Sequence, residues 1–154
     1  VILRRARRDD VPAIVALLQD DFLGATRETP KGATLPESYF LAFEEIDRDP
    51  RAELVVAEED GAIVGTMHLT VLPHLSSKGS RSLQLENVHV AASRRSKGLG
   101  RRMIDWAVER ARREGCARVQ LTTNKLRKDA HRFYERLGFV ASHEGMKRAL
   151  SLAP

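Results

Sequence analysis

A chain of 154 residues and 17.3 kDa, 42% hydrophobic and 31% charged, has the size and the apolar content of one domain with its own core, which excludes a globally disordered polyelectrolyte. No run approaches the roughly 18 consecutive apolar residues of a membrane span, and VILRRARRDD places its charges after the apolar triplet, the reverse of a secretory signal, so a cytoplasmic protein without a membrane partner is expected. The net charge of +5 is local: nine basic and three acidic side chains lie between residues 94 and 118 and the rest of the chain sums to −1, which marks one patch for an anion, either nucleic acid or a phosphorylated small molecule.

In chain order, residues 1–8 read as a first strand, and Asp9 and Asp10 before Pro12 start a helix that runs to about Phe22. Within it Val11, Ile14, Val15, Leu17 and Leu18 recur at helical spacing. GATRETPKGATLP is a loop by its Gly, Thr and Pro content, and a second helix covers about 36–47. Glu53–Glu59 and Ala62–Val71 flank Asp60-Gly61, a hairpin signal between two apolar runs. PHLSSKGSRS is another polar loop before a strand at Leu83–Ala91. A helix at about 98–114, a strand at Arg118–Thr123, a helix at about 129–137 and a strand from Phe139 to about Leu150 complete the order. A three-strand meander thus leads into a βαβ unit, which predicts an α/β (α+β) fold with a mixed sheet and helices on its faces, in a single domain over 1–154.

Side-chain parity adds one feature. Leu83 and Leu85 place apolar groups on odd positions of their strand, whereas Val88 and Val90 place them on even ones. Strict alternation cannot do both, so either both faces are buried or an extra residue bulges near Glu86 and Asn87. The one cysteine, Cys116, directly follows Gly115 at a helix-to-strand junction, forms no intramolecular disulfide, and reads as structural in a reducing compartment.

The segment LQLENVHVAASRRSKGLGRRMIDWAVERAR sets a glycine-rich turn between a strand and an amphipathic helix, the context a phosphate-binding turn requires. Gly98 and Gly100 let backbone N–H groups approach an anion, the helix N-terminus adds its dipole, and Arg95, Lys97, Arg101 and Arg102 add charge. A Rossmann fingerprint fails because Met103 stands where the third glycine belongs, and a Walker loop fails because Lys97 precedes the glycine. Trp106 is the one aromatic residue in the basic patch, too few for base stacking, so nucleic acid is not expected.

What remains, Arg95-Ser96-Lys97-Gly98-Leu99-Gly100, closely resembles the acetyl-CoA pyrophosphate loop of the GNAT superfamily of N-acetyltransferases. Downstream, Asn124 followed by DAHRFYERLGF resembles the second CoA-contacting segment of the same superfamily. The resemblance implies a mostly antiparallel sheet of about 6–7 strands with about 4 flanking helices, a bulged strand whose freed backbone serves the acetyl carbonyl and pantetheine, and a neighbouring strand that splays away. It places Val88, His89, Val90, Arg95, Ser96, Lys97, Gly98, Leu99, Gly100, Arg101, Asn124 and Tyr134 at acetyl-CoA. Many relatives carry glycine where Ser96 stands, and a left-handed Ser96 costs about 1–2 kcal/mol.

The implied reaction is direct attack of a primary amine on acetyl-CoA in a ternary complex. An alkylammonium near pKa 10.4 must first lose its proton, at about 4.6 kcal/mol at pH 7. Glu86 is the expected base, directly or through water, if burial raises its pKa; the alternative is a Glu that orients the strand or contacts the acceptor. Tyr134 is expected beside the departing sulfur, with a packed core tyrosine as the alternative. The five histidines form no recognisable metal set: no HExxH occurs and no metal is expected. His89 is expected in or beneath the cleft wall and His131 on a helix surface. The partners are then acetyl-CoA and an amine that the sequence does not identify, with a homodimer left open. A CoA-binding regulatory or catalytically idle module is the rival to the enzyme.

Overall fold

The apolar runs of the first 121 residues pair into one five-stranded sheet, ordered along the chain as β1 (Ile2–Arg5), β2 (Ala52–Glu59), β3 (Ala62–Pro73), β4 (Arg81–Val90) and β5 (Cys116–Leu121). The helices are α1 (Val11–Gln19), α2 (Gly24–Arg27), α3 (Glu37–Arg48), α4 (Ser76–Gly79), α5 (Leu99–Arg113) and α6 (Lys128–Arg136). The computed structural model describes residues 1–21 and 23–151 and divides into two units: Val1–Leu121 holds the sheet and α1 to α5, and Thr122–Pro154 holds α6.

Strands β1 to β4 are antiparallel, and β5 joins β4 in parallel after the α5 crossover, so the expected meander and βαβ unit are both present. The β2–β3 hairpin turns on Asp60 (φ 51°) and Gly61 (φ 78°), the paired positive φ of a two-residue turn that matches strand twist. One face of the sheet carries Val56 against Ala6, Val11, Ile14, Val15 and Phe43 from α1, α3 and their flanks. The helix α5 buries Met103, Ile104, Ala107 and Ala111 and comes close enough that a Cβ on Gly65 of β3 would sit 2.9 Å from the Met103 sulfur. Each fully buried aliphatic side chain of this kind contributes about 1.5–3 kcal/mol.

A charged clamp joins three elements at the sheet edge. The Arg4 guanidinium donates from Nη1 and Nη2 to the two carboxylate oxygens of Asp10 (2.8 and 2.9 Å) and from Nε to Glu58 (2.6 Å). Asp10 also accepts the Arg7 N–H at 2.7 Å, so the first strand, the start of α1 and the β2 strand are held together.

The sheet has five strands among the described residues, not six or seven. Phe139 is tied back to Tyr134 by its N–H, and residues 140–151 are exposed without a ladder. Val140 is the only β-branched residue from 139 to 150 and Gly145 interrupts the run, so little there favours a pleated, half-buried surface. Two polar stretches hold more structure than expected. In 24–36, Oδ1 of Asp21 accepts the N–H groups of Leu23 and Gly24 and starts the single turn α2. In 73–82, the strands extend to Pro73 and from Arg81, leaving only the turn α4, where Ser77 and Lys78 are left-handed. The first helix ends at Gln19; its expected end, Phe22, lies outside the described residues.

Candidate functional site

The expected bulge is present. Thr66 pairs with His89 and His68 with Glu86, so Asn87 and Val88 together oppose Met67 alone, and Asn87 takes a left-handed φ of 51°. Cross-strand partners share a face, so the extra residue puts Glu86 and His89, three apart, on the same side as Leu54 and Val56, the side covered by α1 and α3. The ladder to β5 stops at Leu85–Leu121, just before the bulge. Because the Ala91 N–H donates to Val64 on β3, the backbone groups of Val88 and Val90 point the other way, to the side that β5 has left. Of the two readings that parity allowed, the bulge is the one the strand adopts.

Strand β4 leads into the glycine-rich turn. Ser96 (φ 60°) and Gly98 (φ 81°) are both left-handed, and Gly98 is the N-cap of α5. Alternating left-handed residues turn successive N–H groups inward, the geometry of an anion nest. Among the described residues, the N–H groups of residues 96–101 have no protein acceptor, and a Cβ built on Gly98 meets nothing within 4 Å. The turn therefore fits an anionic ligand by its donors and its space.

The charged side chains divide their work. Arg94 is committed to an ion pair with Glu59. Arg95 braces the turn: Nε donates to the Val90 carbonyl (3.2 Å) and Nη2 to the Asp20 carbonyl (3.2 Å), so it links the end of β4 to the end of α1. Arg101 lies 3.7 Å from Asp105, while Lys97 and Arg102 have no ion pair among the described residues. Leu99 is buried and anchors the first turn of α5.

On the α1 side, Glu86 is 51% exposed and its Oε2 lies 3.8 Å from Nδ1 of His68. The position thus lacks the burial that would suit a carboxylate to accept an amine proton. Nδ1 of His89 faces Oδ2 of Asp21 at 3.4 Å, both side chains about nine-tenths buried. The other Asp21 oxygen is the one that starts α2, so this pair ties the loop after α1 to the bulged strand. Sequence reading missed Asp21, which it left in the last turn of the first helix, and gave His68 no part beyond the five histidines that form no recognisable metal set. The cross-strand register is the signal that pairs His68 with Glu86.

The second unit holds Asn124 and Tyr134. Asn124 is a turn residue: Oδ1 accepts the Leu126 N–H (2.9 Å) and its carbonyl accepts the Arg127 N–H (2.9 Å), which leads the chain into α6. The His131 ring also reaches that carbonyl, at 3.3 Å. Tyr134 packs edge-on between Phe133 (5.2 Å) and Phe139 (5.5 Å), and burial pushes its phenol up to about 12, opposed in part by Arg127.

The model of the acetyltransferase (GNAT) family matches residues 11–139. The chain belongs to that family. It is similar to the aminoalkylphosphonate N-acetyltransferase of Salmonella typhimurium, 33% identical over 102 residues that make up 66% of each chain, so it spans just under two thirds of that relative. It is also similar to glucosamine 6-phosphate N-acetyltransferase 1 of Oryza sativa, 30% identical over 139 residues, 88% of this chain and 82% of that protein. The crystal structure of a transcriptional regulator from Bacillus halodurans C-125 matches with a TM-score of 0.92 and 44% identity, covering 97% of this chain and 99% of that one. Glycine-rich turn, bulged strand and α6 all fall inside the family match.

Proposed function

We propose that this GNAT chain is an acetyl-CoA dependent N-acetyltransferase, with residues 1–154 acting as one cytoplasmic transferase domain. The observation that carries the reading is the presence of two open backbone segments: the side of β4 at Val88 and Val90 that β5 has left, and the N–H groups of residues 96–101 in the left-handed turn that starts α5. When bound, acetyl-CoA supplies the activated acetyl thioester. The turn from Arg95 to Arg101 serves the pyrophosphate with N–H groups and the charge of Lys97, while Arg95 keeps the turn in shape. Val88 offers its backbone groups and Val90 its N–H to the acetyl and pantetheine end, the Val90 carbonyl being held by Arg95, and His89 between them fixes the strand through Asp21.

Glu86 is the proposed base, taking a proton from the acceptor ammonium directly or through water so that the nitrogen lone pair is free to attack. Its exposure favours the water-mediated route, or requires that the acceptor itself bury the carboxylate. On the family resemblance, Asn124 contacts the cofactor and Tyr134 donates a hydrogen bond to the departing sulfur. A phenol near 12 remains protonated at working pH; full proton transfer to a thiolate of about 8.5 would be uphill by about 5 kcal/mol, so donation without transfer is the favoured role. Acceptors named for two relatives, an aminoalkylphosphonate and glucosamine 6-phosphate, are both amines that carry a phosphorus oxyanion, and this class heads the candidates.

The name of the Bacillus halodurans relative favours one second reading, a CoA-responsive regulatory module. Free-thiol release across a panel of amines, phosphonate- and phosphate-bearing amines first, separates the two. Turnover with a primary amine, reduced on the order of a hundredfold in Glu86→Gln at unchanged KM for acetyl-CoA, supports the enzyme and its base. Tight acetyl-CoA binding with no turnover on any amine supports the regulator.

A further inference from the structure

His68 carries a half-buried imidazole that the proposed reaction does not use. It lies in the middle of β3, directly opposite Glu86 on β4 and Leu54 on β2, on the face covered by α1 and α3. The register shift follows at once, so His68 and Glu86 are the last regular cross-strand pair before the bulge. Their 3.8 Å separation is longer than a hydrogen bond and within ion-pair range, with His68 17% exposed. The second ring nitrogen, Nε2, is buried and has no hydrogen-bond partner.

These contacts assign a tautomer. With the proton on Nε2, a buried donor has no acceptor and the bare Nδ1 faces a carboxylate lone pair, so both nitrogens lose. With the proton on Nδ1, the N–H is aimed at Glu86 and only Nε2 goes unmet. The ring is neutral near pH 7, because burial lowers its pKa, while Glu86 across the ladder and Asp49 in the turn after α3 oppose that shift. No other charged group acts on the ring among the described residues, and β2 meets it with Leu54.

We propose that His68 is a positioning residue for Glu86: a neutral imidazole that faces the carboxylate across the ladder, at the mouth of the bulge, and whose Nδ1–H closes the 3.8 Å separation to a hydrogen bond when the acceptor amine docks. The inference rests on Glu86 being the base. Of the groups around Glu86, His68 is the one the strand register fixes opposite it, so the pairing is a property of the sheet and not of a mobile loop.

Two measurements on the full chain test this. First, the His68 imidazole is titrated by 15N NMR in wild type and in Glu86→Gln. Loss of a negative charge at this distance is expected to lower the His68 midpoint by about half to one pH unit, with no need for turnover. Second, His68→Ala is expected to lower kcat about tenfold and to move the lower-pH limb of the rate profile at unchanged KM for acetyl-CoA. His68→Asn, whose side-chain N–H lies near the place of Nδ1, is expected to recover kcat to within about threefold of wild type. An unmoved His68 titration in Glu86→Gln overturns the pairing, and a wild-type kcat and pH profile in His68→Ala overturns its role. If Glu86→Gln turns over as wild type, the base assignment and this inference fall together, and a shifted His68 titration in the same variant marks that case.

Discussion

Asn87 and Ser96 hold left-handed backbones that cost L-residues about 1–2 kcal/mol each, and both lie in the candidate site. Asn tolerates this conformation better than most residues, and at 87 it allows the bulge; Ser96 bears the strain within the turn. The bulge was legible from the clash of parity between Leu83–Leu85 and Val88–Val90, because a period of two leaves no other freedom than double burial. The Asp21–His89 and His68–Glu86 pairs were not legible, since each joins residues far apart in the chain through a register that no local pattern encodes. Tyr134 carries the residue-scale prediction. Tyr134→Phe keeps the ring between Phe133 and Phe139 and removes one hydroxyl, so acetyl-CoA still binds and the stability is little changed. Turnover at saturating acetyl-CoA falls by about a hundredfold to a thousandfold if the hydroxyl serves the developing charge on sulfur, and by less than about threefold if the ring only packs. With the phenol near 12, Tyr134 adds no alkaline limb to the rate profile below about pH 11.

At the scale of elements, local chemistry decided where the pattern was strong. Asp60-Gly61 set the hairpin, the apolar stripe of α5 set its buried face, and Gly98 set its start. It failed where tertiary contacts decide: α2 is one turn started by a side chain that also faces His89, and the stretch after Gly138 lacks the β-branched residues that would hold it in a ladder. The Arg4–Asp10–Glu58 clamp gives a stability prediction at this scale. Arg4 holds the Asp10 carboxyl below its ordinary range, chiefly through the hydrogen bond, and Asp10 is 11% exposed. A depressed carboxyl stabilises the fold above its unfolded pKa of about 3.9 and loses that contribution as pH falls through the folded value. Asp10→Asn is therefore expected to destabilise the protein by about 1.5–3 kcal/mol at pH 7 in urea unfolding, with the difference from wild type shrinking below about pH 4. An equal difference at pH 7 and pH 3 would mean that the charge contributes nothing.

For the molecule as a whole, the placement of charge is more informative than its total, because the basic segment contains the left-handed turn. The +6 between residues 94 and 118 narrows in three dimensions, because Arg94 is held by Glu59, Arg95 by two carbonyls, Arg101 by Asp105 and Arg110 by Glu53, leaving Lys97 and Arg102 nearest the turn without ion pairs. In the proposed site, backbone donors and not a surplus of arginine would then be the main partners of an anion, which suits a compact pyrophosphate better than a long polyanion. Arg95 and the His89–Asp21 pair both reach residues 20–21, so the turn and the bulged strand share one support at the end of α1. The most direct test of the account is calorimetric titration of acetyl-CoA into wild type, Gly98→Ala and Gly98→Glu. Both variants bear the strain of a side chain at φ 81°, and space is open around that Cβ, so both are expected to fold. Gly98→Ala is predicted to bind within about thirtyfold of wild type, the most that about 1–2 kcal/mol of backbone strain costs, while Gly98→Glu, with a carboxylate in the nest, binds no acetyl-CoA. A folded Gly98→Glu protein that binds acetyl-CoA as wild type does would contradict the assignment of the turn.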